Sequence, residues 1–217
     1  MNAKELLSKV DHTLLKPTAT WEEIDNVASE AEQYNTATVV VPSCFVRDIS
    51  HSYHDMVRIC TVVGFPLGNT NTTGKIAEAG QALADGASEI DMVINIGALK
   101  AGDINYVTEE IRQLKYLCGE RILKVIVETC YLTEEEKIAA CQCVKEAHAD
   151  FIKTSTGFGT GGATLEDIEL FKKHIGSKVK IKAAGGIRTR EDMEKFIAAG
   201  CERLGMSTAV KILRDEL

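Results

Sequence analysis

The sequence lacks the features that mark nucleic-acid-binding and membrane-spanning proteins. Acidic residues outnumber basic ones, 32 to 25, so the 217-residue chain carries a formal net charge of −7. This excess of negative charge argues against nucleic-acid binding, which depends on clustered lysine and arginine. No apolar stretch approaches the roughly 20 residues that a membrane-spanning helix needs. The amino-terminal segment also has no apolar run typical of a signal peptide, so we expect a cytoplasmic protein that binds neither nucleic acid nor membrane.

The seven cysteines have no spacing typical of a zinc site or a redox motif. Cys141 and Cys143 form the one close pair, and their C-x-C spacing matches neither the common zinc motifs nor C-x-x-C. We interpret the cysteines as reduced thiols of a cytosolic protein. No cluster of His, Cys and Asp has metal-ligand spacing, and no dinucleotide fingerprint opens a strand–helix unit. The residues therefore indicate neither a metal site nor a dinucleotide cofactor.

Eight short apolar runs alternate with amphipathic helical patterns along the chain. Some of the helical segments begin with a capping box, as Thr20 and Glu23 do. Runs rich in Val and Ile, separated by helices, indicate parallel strands buried on both faces. Because no linker divides the chain, eight strand–helix units predict an α/β fold, a (β/α)8 TIM barrel forming a single domain over residues 1–217 with a short amino-terminal helical extension; a doubly wound sheet is the alternative. The runs are residues 11–15, 37–42, 58–65, 89–96, 122–129, 150–156, 179–186 and 203–208.

Four charged residues interrupt the apolar runs: Asp91, Lys124, Lys153 and Lys182. They are separated by about one strand–helix unit each, so we expect them on four successive strands at roughly the same height. Because side chains alternate along a strand, the apolar neighbours of Asp91 would face the helices and Asp91 the barrel interior. The same alternation directs the three lysines inward. Active sites of such barrels lie at the carboxyl ends of the strands, close to these positions.

Inward lysines on adjacent strands suggest imine chemistry. Repulsion between two ammonium groups and the loss of hydration both lower a lysine pKa. A neutral amine can attack a carbonyl to form a Schiff base, which lets a neighbouring carbon exchange a proton or a carbon–carbon bond. Asp91 would help to relay protons in that reaction. The alternative is a structural ion-pair network in which Asp91 binds Lys124 or Lys182.

Glycine-bearing loops follow the last two predicted strands. Residues 184–188 follow the seventh run, and residues 205–208 end the eighth. In this fold a phosphate site often lies between these loops, because glycine lets backbone amides approach phosphate oxygens. Gly157 in the sixth loop would contribute to it. The alternative is that these glycines only form ordinary turns between strand and helix. The long polar loop 64–75 either covers the barrel mouth or is an ordinary turn-rich connection.

Five segments of the chain are long and specific: DHTLLKP (11–17), GFPLG (64–68), EIDMVINIGALK (89–100), KTSTGF (153–158) and KAAGGIR (182–188). Taken together, they resemble the deoxyribose-phosphate aldolase family. The resemblance extends from about residue 8 to residue 213. It implies a class I aldolase on a (β/α)8 barrel that reversibly cleaves 2-deoxy-D-ribose 5-phosphate to D-glyceraldehyde 3-phosphate and acetaldehyde, with no metal or organic cofactor. The family is often dimeric, so a homodimer is among the expected assemblies.

The resemblance also implies roles for single residues. Lys153 would form the Schiff base, and Lys182 would lower its pKa and take part in proton transfer. Asp91 would donate and accept protons through water, with Lys124 as a supporting charge nearby. The residues implied to bind the substrate phosphate are Gly185, Gly186 and Ser207, with Gly157, Ile187 and Gly205 close to it.

The sequence departs from the family pattern at four places. Met206 stands where the family usually has threonine, and it would face the helices if Ser207 faces the site. Gly159 replaces a serine, from which we expect a looser sixth loop. Val40 stands where the family often has cysteine, which would alter the acetaldehyde pocket. The segment TNTTGK (70–75) leaves the geometry of the loop over the mouth open.

Three other functions are compatible with the same residues. One is a Schiff-base sugar-phosphate aldolase with a different aldehyde donor. Another is a phosphate-binding isomerase in which Asp91 is the base and the lysines act only as charges. The third is a sugar-phosphate-binding protein without catalytic activity. Imine trapping distinguishes the aldolases from the other two, and product analysis distinguishes the aldolases from each other.

Overall fold

A computed structural model describes all residues of the chain, Met1–Leu217. Eight parallel strands follow one another around a closed barrel, in which β1 pairs with both β2 and β8. The predicted barrel and its eight strands are confirmed, and the doubly wound alternative is wrong because the last strand returns to the first. The strands are β1 (Val10–Thr13), β2 (Thr38–Val41), β3 (Ile59–Val63), β4 (Glu89–Val93), β5 (Ile122–Ile126), β6 (Phe151–Lys153), β7 (Lys180–Ala184) and β8 (Arg203–Met206).

Helices surround the barrel and begin where the capping residues predict. Thr20 accepts a hydrogen bond from the amide of Glu23, and the Glu23 side chain accepts one from the amide of Thr20, so this capping box is formed. The helix α1 is the predicted amino-terminal extension. None of the helices combines the length and apolar character that crossing a membrane requires. The helices are α1 (Ala3–Leu7), α2 (Trp21–Gln33), α3 (Val46–Tyr53), α4 (Thr72–Ala84), α5 (Ile96–Lys100), α6 (Ile104–Cys118), α7 (Glu134–Glu146), α8 (Leu165–His174), α9 (Arg190–Ala199) and α10 (Ala209–Leu213).

The strand register staggers the four inward charged residues. Asp91 lies level with Lys124 across β4 and β5, and Lys153 lies level with Lys182 across β6 and β7. Between these pairs Lys124 is level with Phe151, so Lys153 stands two residues nearer the carboxyl end. Closing a sheet into a barrel requires such a stagger between strands. The stagger compensates for the tilt of the strands, so the four residues do lie at roughly the same height as expected, and the three lysine amines all reach the Asp91 carboxylate.

Two apolar regions enclose the charged interior. The larger one comprises 53 buried residues packed mainly between the outer face of the barrel and the helices. The smaller one lies inside the barrel, where Val40, Cys60 and Val62 pack against Leu15 and Phe65. Because these residues come from β2, β3 and the loops that follow β1 and β3, one side of the interior is apolar. The charged side chains of β4–β7 occupy the other side.

Candidate active site

Asp91 is the centre of the polar side of the barrel. Its Oδ2 accepts hydrogen bonds from Nζ of Lys153 and Nζ of Lys182, each at 2.7 Å. Its Oδ1 accepts one from Lys124 Nζ at 2.7 Å and one from the Cys60 thiol at 3.2 Å. All of these side chains are buried. The structure thus brings together the four inward charged residues that the sequence singles out, and it forms ion pairs between them.

A second layer of charge lies below Asp91, toward the amino-terminal ends of the strands. Asp11 accepts a short hydrogen bond from Lys182 and a 2.7 Å hydrogen bond from Arg203 Nη1. Glu89 lies 2.6 Å from Lys124 Nζ and accepts hydrogen bonds from Arg203 at 3.1 and 3.2 Å. Asp11 is therefore a buried partner of Lys182.

Sequence reasoning overlooked Glu89 and Arg203. Glu89 stands two positions before Asp91, and Arg203 stands two positions before Gly205, so strand alternation directs both inward. This alternation of side chains along the strands was the sequence signal that could have identified both residues. A charged residue at the first position of a strand is more often solvated, and only the pairing of β1 with β8 places Arg203 beside Asp11.

The buried charges of the barrel balance if one basic group is neutral. We call this set the barrel network; it contains three carboxylates and four basic side chains. Burying an unpaired charge is costly, so a net charge of zero is the favoured state of such an interior. The basic group closest to the mouth is Lys153, which contacts one carboxylate only. The members are Asp11, Glu89, Asp91, Lys124, Lys153, Lys182 and Arg203.

The pKa shifts of the lysines separate their chemical roles. Burial lowers the pKa of Lys153; Asp91 opposes this effect and the neighbouring Lys182 adds to it, so the net shift is downward. Burial also lowers the pKa of Lys182, but Asp11 and Asp91 outweigh it and the net shift is upward. The pKa of Lys124 likewise ends well above its usual value, because Asp91 and other anions overcome burial. Lys153 is therefore the lysine best able to act as a neutral nucleophile.

A cavity of about 280 Å³ opens above Lys153 at the mouth of the barrel. Gly157, Gly185, Gly205 and Ser207 line it together with Lys153. The structure thus places four of the six predicted phosphate residues in one wall with Lys153 at the base. No group of three or more His, Cys, Asp or Glu side chains anywhere in the chain is positioned to hold a metal ion.

The other two predicted phosphate residues do not line the cavity. Gly186 is exposed beside Gly185, and both adopt positive φ angles, 80° and 79°, that favour glycine. The side chain of Ile187 is buried in the larger apolar core. Any contribution of these two residues to anion binding would therefore come from their backbone amides.

Close packing explains the glycine at position 205. A Cβ there would lie 3.0 Å from the Cβ of Ala184 and 3.2 Å from Cε of Lys182. Because Gly205 faces inward, the absent side chain leaves room for the Lys182 stem beneath the cavity. The Gly-x-Ser pattern at the end of β8 thus serves the barrel network as well as the cavity wall.

Glu128 holds the loop that follows Lys153. It is buried after β5 with a left-handed φ of 54°, an uncommon conformation for a residue other than glycine. Its carboxylate accepts a 3.1 Å hydrogen bond from the amide of Thr156 and a short one from the Thr156 hydroxyl. The hydroxyl of Thr154 bridges to β7, where it donates to the carbonyl of Ala184 at 3.2 Å. Glu128 thus acts as a hydrogen-bond acceptor that supports the loop.

Gly159 is tightly enclosed. A Cβ at this position would lie 2.9 Å from Cys130 Sγ and 3.1 Å from Cδ of Glu128. Cys130 therefore fills the space that a side chain at position 159 would need. This packing argues against the looser loop that we expect from the glycine.

The remaining departures from the family pattern have clear positions. The Met206 side chain is buried in the larger apolar core, so it faces the helices as predicted. Val40 belongs to the apolar side of the interior. Phe65, in the loop after β3, packs edge-to-face against Phe158 of the cavity wall, with ring centroids 5.3 Å apart. That loop therefore does reach over the barrel mouth.

The loop after β1 supplies part of the cavity wall that sequence reasoning did not assign. Residues 13–16 line the cavity. His12 faces the opposite way, and its Nε2 lies 2.8 Å from Glu30 on α2. This contact gives His12 a structural role between β1 and α2.

Known proteins with similar sequences cover the whole chain. The family model described as DeoC/LacD family aldolase matches residues 6–212. A protein of Clostridium botulinum named deoxyribose-phosphate aldolase is 63% identical over 216 residues, which cover 100% of this chain and 98% of that protein. A protein of Clostridioides difficile with the same name is 51% identical over 213 residues, covering 98% and 97% of the two chains.

Solved structures with the same fold also cover nearly the whole chain. The crystal structure of a putative deoxyribose-phosphate aldolase from Coccidioides immitis has a TM-score of 0.95 at 39% identity, covering 99% of this chain and 87% of that chain. A deoxyribose phosphate aldolase from Aeropyrum pernix, described as a unique tetramer, has a TM-score of 0.89 at 30% identity and covers 99% and 92%. The sequence and structure comparisons thus agree on one family.

Proposed function

Because the chain belongs to the DeoC/LacD family of aldolases, we propose that it is a class I aldolase that reversibly cleaves 2-deoxy-D-ribose 5-phosphate to D-glyceraldehyde 3-phosphate and acetaldehyde. The observation that carries this proposal is the position of Lys153. Its amine lies at the base of a cavity, has a lowered pKa and is not needed to balance the buried carboxylates. These are the properties that a lysine needs to attack an aldehyde.

The reaction proceeds through an imine on Lys153. The neutral amine attacks C1 of the open-chain sugar, and loss of water gives a protonated imine. When the C3 hydroxyl loses its proton, its oxygen forms the new carbonyl group and the C2–C3 bond breaks. The electron pair of the broken bond moves toward the protonated imine, which becomes an enamine. D-Glyceraldehyde 3-phosphate leaves. The enamine then gains a proton at C2, and water hydrolyses the resulting imine to release acetaldehyde and the free amine.

Asp91 and Lys182 support these reaction steps through their charges. Asp91 Oδ2 is 2.7 Å from Lys153 Nζ, so it stabilises the positive charge that appears when the imine is protonated. Although burial raises its pKa, Lys124, Lys153 and Lys182 lower it well below the usual range, so Asp91 stays ionised. Lys182, whose pKa is raised, holds a proton beside the same carboxylate oxygen. We assign proton transfer through water to these two residues, with Lys124 as the supporting charge.

The substrate phosphate binds between the loops that follow β7 and β8. Gly185 and Ser207 line the cavity there, and the exposed backbone of Gly186 is adjacent. Backbone amides at glycine positions can approach phosphate oxygens closely, and the Ser207 hydroxyl adds a donor. We also place Gly157, Ile187 and Gly205 close to the phosphate, Ile187 through its backbone.

The biological setting belongs to the same proposal. A protein with this activity would act in deoxyribonucleotide catabolism, and the seven free cysteines favour a reducing, cytoplasmic location. Its partners would be the sugar phosphate and the two aldehydes, without a cofactor. We expect residues 1–217 to behave as one folding unit and the chain to assemble as a homodimer, which sedimentation would test directly.

Borohydride trapping is the experiment that tests the proposal. The protein is incubated with 2-deoxyribose 5-phosphate and sodium borohydride, and the reduced adduct is located by peptide mass spectrometry. We expect one adduct, on Lys153, and none in Lys153→Arg, which keeps a basic side chain but cannot act as a neutral amine. An adduct on Lys182 would reverse the roles of the two lysines. No adduct in a folded protein that binds the sugar phosphate would favour an isomerase or a binding protein.

A further inference from the structure

The cavity wall is positively charged although the protein as a whole is acidic. The chain carries a net charge of −7, yet none of the 13 residues that line the cavity is Asp or Glu. The only basic residues in the wall are Lys16 and Lys153, and Lys153 is the one whose pKa is lowered by burial. A cavity with the Lys16 cation and no carboxylate attracts anionic ligands, since the local field and not the net charge acts on a bound group.

Lys153 cannot serve as the cation for the substrate phosphate. Its amine is committed to the imine at C1, and it lies against Asp91 at the base of the cavity. In the proposed substrate, the phosphate is attached at the opposite end of the sugar chain from C1. The phosphate therefore needs a counter-charge from a different part of the wall, and Lys16 is the remaining cation there.

Lys16 has a fixed backbone and a free side chain. The loop after β1 is anchored by the amide of Leu14, which donates to the carbonyl of Val40 at 2.9 Å, and by the amide of Ala19, which donates to the carbonyl of Lys16 at 3.1 Å. Leu15 packs against the apolar side of the barrel interior. The Lys16 side chain is exposed, and its ammonium group forms no salt bridge. It is thus available to an incoming anion without breaking an existing ion pair.

We propose that Lys16 pairs with the phosphate of the substrate and sets the preference for phosphorylated over unphosphorylated 2-deoxyribose. This inference rests on the proposed function and names a residue outside the glycine loops after β7 and β8. Backbone amides and Ser207 orient the phosphate oxygens, and Lys16 supplies the full positive charge that these neutral donors lack. Lys16 makes no contact with the barrel network, so its effect is on substrate selection and not on the reactivity of Lys153.

The test compares two substrates in one set of variants. kcat/KM is measured for 2-deoxyribose 5-phosphate and for 2-deoxyribose, in the wild type and in Lys16→Gln and Lys16→Arg. Loss of a charge-assisted hydrogen bond predicts a fall of about tenfold or more in the preference for the phosphorylated sugar in Lys16→Gln. Lys16→Arg should retain most of that preference. Inhibition by inorganic phosphate should weaken in parallel in Lys16→Gln, which gives a second readout that does not depend on turnover of the phosphorylated sugar.

Two further variants serve as controls for charge. Lys9→Gln removes the same charge before β1, at the opposite end of that strand, and Arg188→Gln removes an exposed cation beside the Gly185–Gly186 loop that does not line the cavity. Both should keep the wild-type preference. Loss of preference in Arg188→Gln but not in Lys16→Gln would overturn the inference. If the wild type cleaves neither sugar, the proposed function itself fails, whereas an active enzyme whose preference survives Lys16→Gln refutes only the role of Lys16.

Discussion

Lys153 and Lys182 share one carboxylate oxygen, Oδ2 of Asp91, at the same distance of 2.7 Å, yet their pKa values shift in opposite directions. The two lysines lie level with each other on adjacent strands. The difference comes from Asp11, which bonds to Lys182 and does not contact Lys153. A carboxylate below the site thus determines which of two neighbouring lysines remains protonated.

Removing Lys153 should abolish turnover while leaving the protein folded. The three carboxylates of the barrel network are balanced by its other three basic groups, so Lys153→Ala leaves no unpaired buried charge. We expect activity below about one thousandth of the wild-type value, because no other group can form the imine. Turnover assays and circular dichroism check both parts. Near-normal activity in a folded Lys153→Ala protein would remove the central assignment.

Lys124→Ala is the matched comparison for that variant. Lys124 binds Glu89 at 2.6 Å and Asp91 at 2.7 Å, so its loss leaves buried carboxylates without a partner. We expect a loss of about 3–5 kcal/mol in the free energy of unfolding, as for other broken buried ion pairs. Urea titration of the two variants measures the contrast. Equal destabilisation by Lys153→Ala and Lys124→Ala would contradict the charge balance that we infer.

Lys182→Leu should move the pH dependence of catalysis. Lys182 contributes to lowering the pKa of Lys153, so its removal raises that pKa. The fraction of neutral Lys153 increases with pH, and the acid limb of the kcat/KM profile should therefore shift to higher pH in the variant. Activity should be severely reduced at neutral pH and partly rescued in alkaline buffer. A variant whose loss is equal at every pH would instead point to proton transfer as the main role of Lys182.

Asp11→Asn should impair catalysis without weakening substrate binding. The change removes the anion that keeps the pKa of Lys182 raised, although Asp11 does not line the cavity. We expect kcat to fall and KM to change little, together with a loss of stability of about 3–5 kcal/mol. Thr38→Val removes only the hydroxyl that donates to Asp11 Oδ1 at 2.8 Å and should have much smaller effects. A rise in KM alone would contradict this prediction and mean that Asp11 acts on substrate binding.

Gly159→Ser, which introduces the residue that the family usually carries, should be harmful in this chain. The new side chain would meet Cys130 Sγ and Glu128. Overpacking of this kind costs about 1–3 kcal/mol, and displacement of Glu128 would loosen the Thr156 loop. The double variant with Cys130→Ala should recover part of both stability and activity. Stability equal to the wild type in the single variant would show that Cys130 moves aside freely.

Local patterns are sufficient to predict the strands and the direction of their side chains. Side chains alternate with a period of two whatever the rest of the chain does, so the sequence alone directs Asp91, Lys124, Lys153 and Lys182 into the interior of a barrel. The long segments shared with known aldolases add the roles expected of these residues. Capping residues such as Thr20 likewise act within one helical turn, and they mark helix starts correctly.

Only the tertiary structure decided which charges meet. The stagger between β5 and β6 brought Lys153 to the same carboxylate that binds Lys124, and closure of β8 onto β1 brought Arg203 to Asp11 and Glu89. Barrel stagger and ring closure depend on all eight strands together, so no stretch of sequence encodes them alone. The loop that carries Lys16 follows β1, and it reaches the cavity because the closed barrel sets β1 beside β8. The sequence determined the types and directions of the charged side chains, while the closed barrel determined their partners and hence their pKa values.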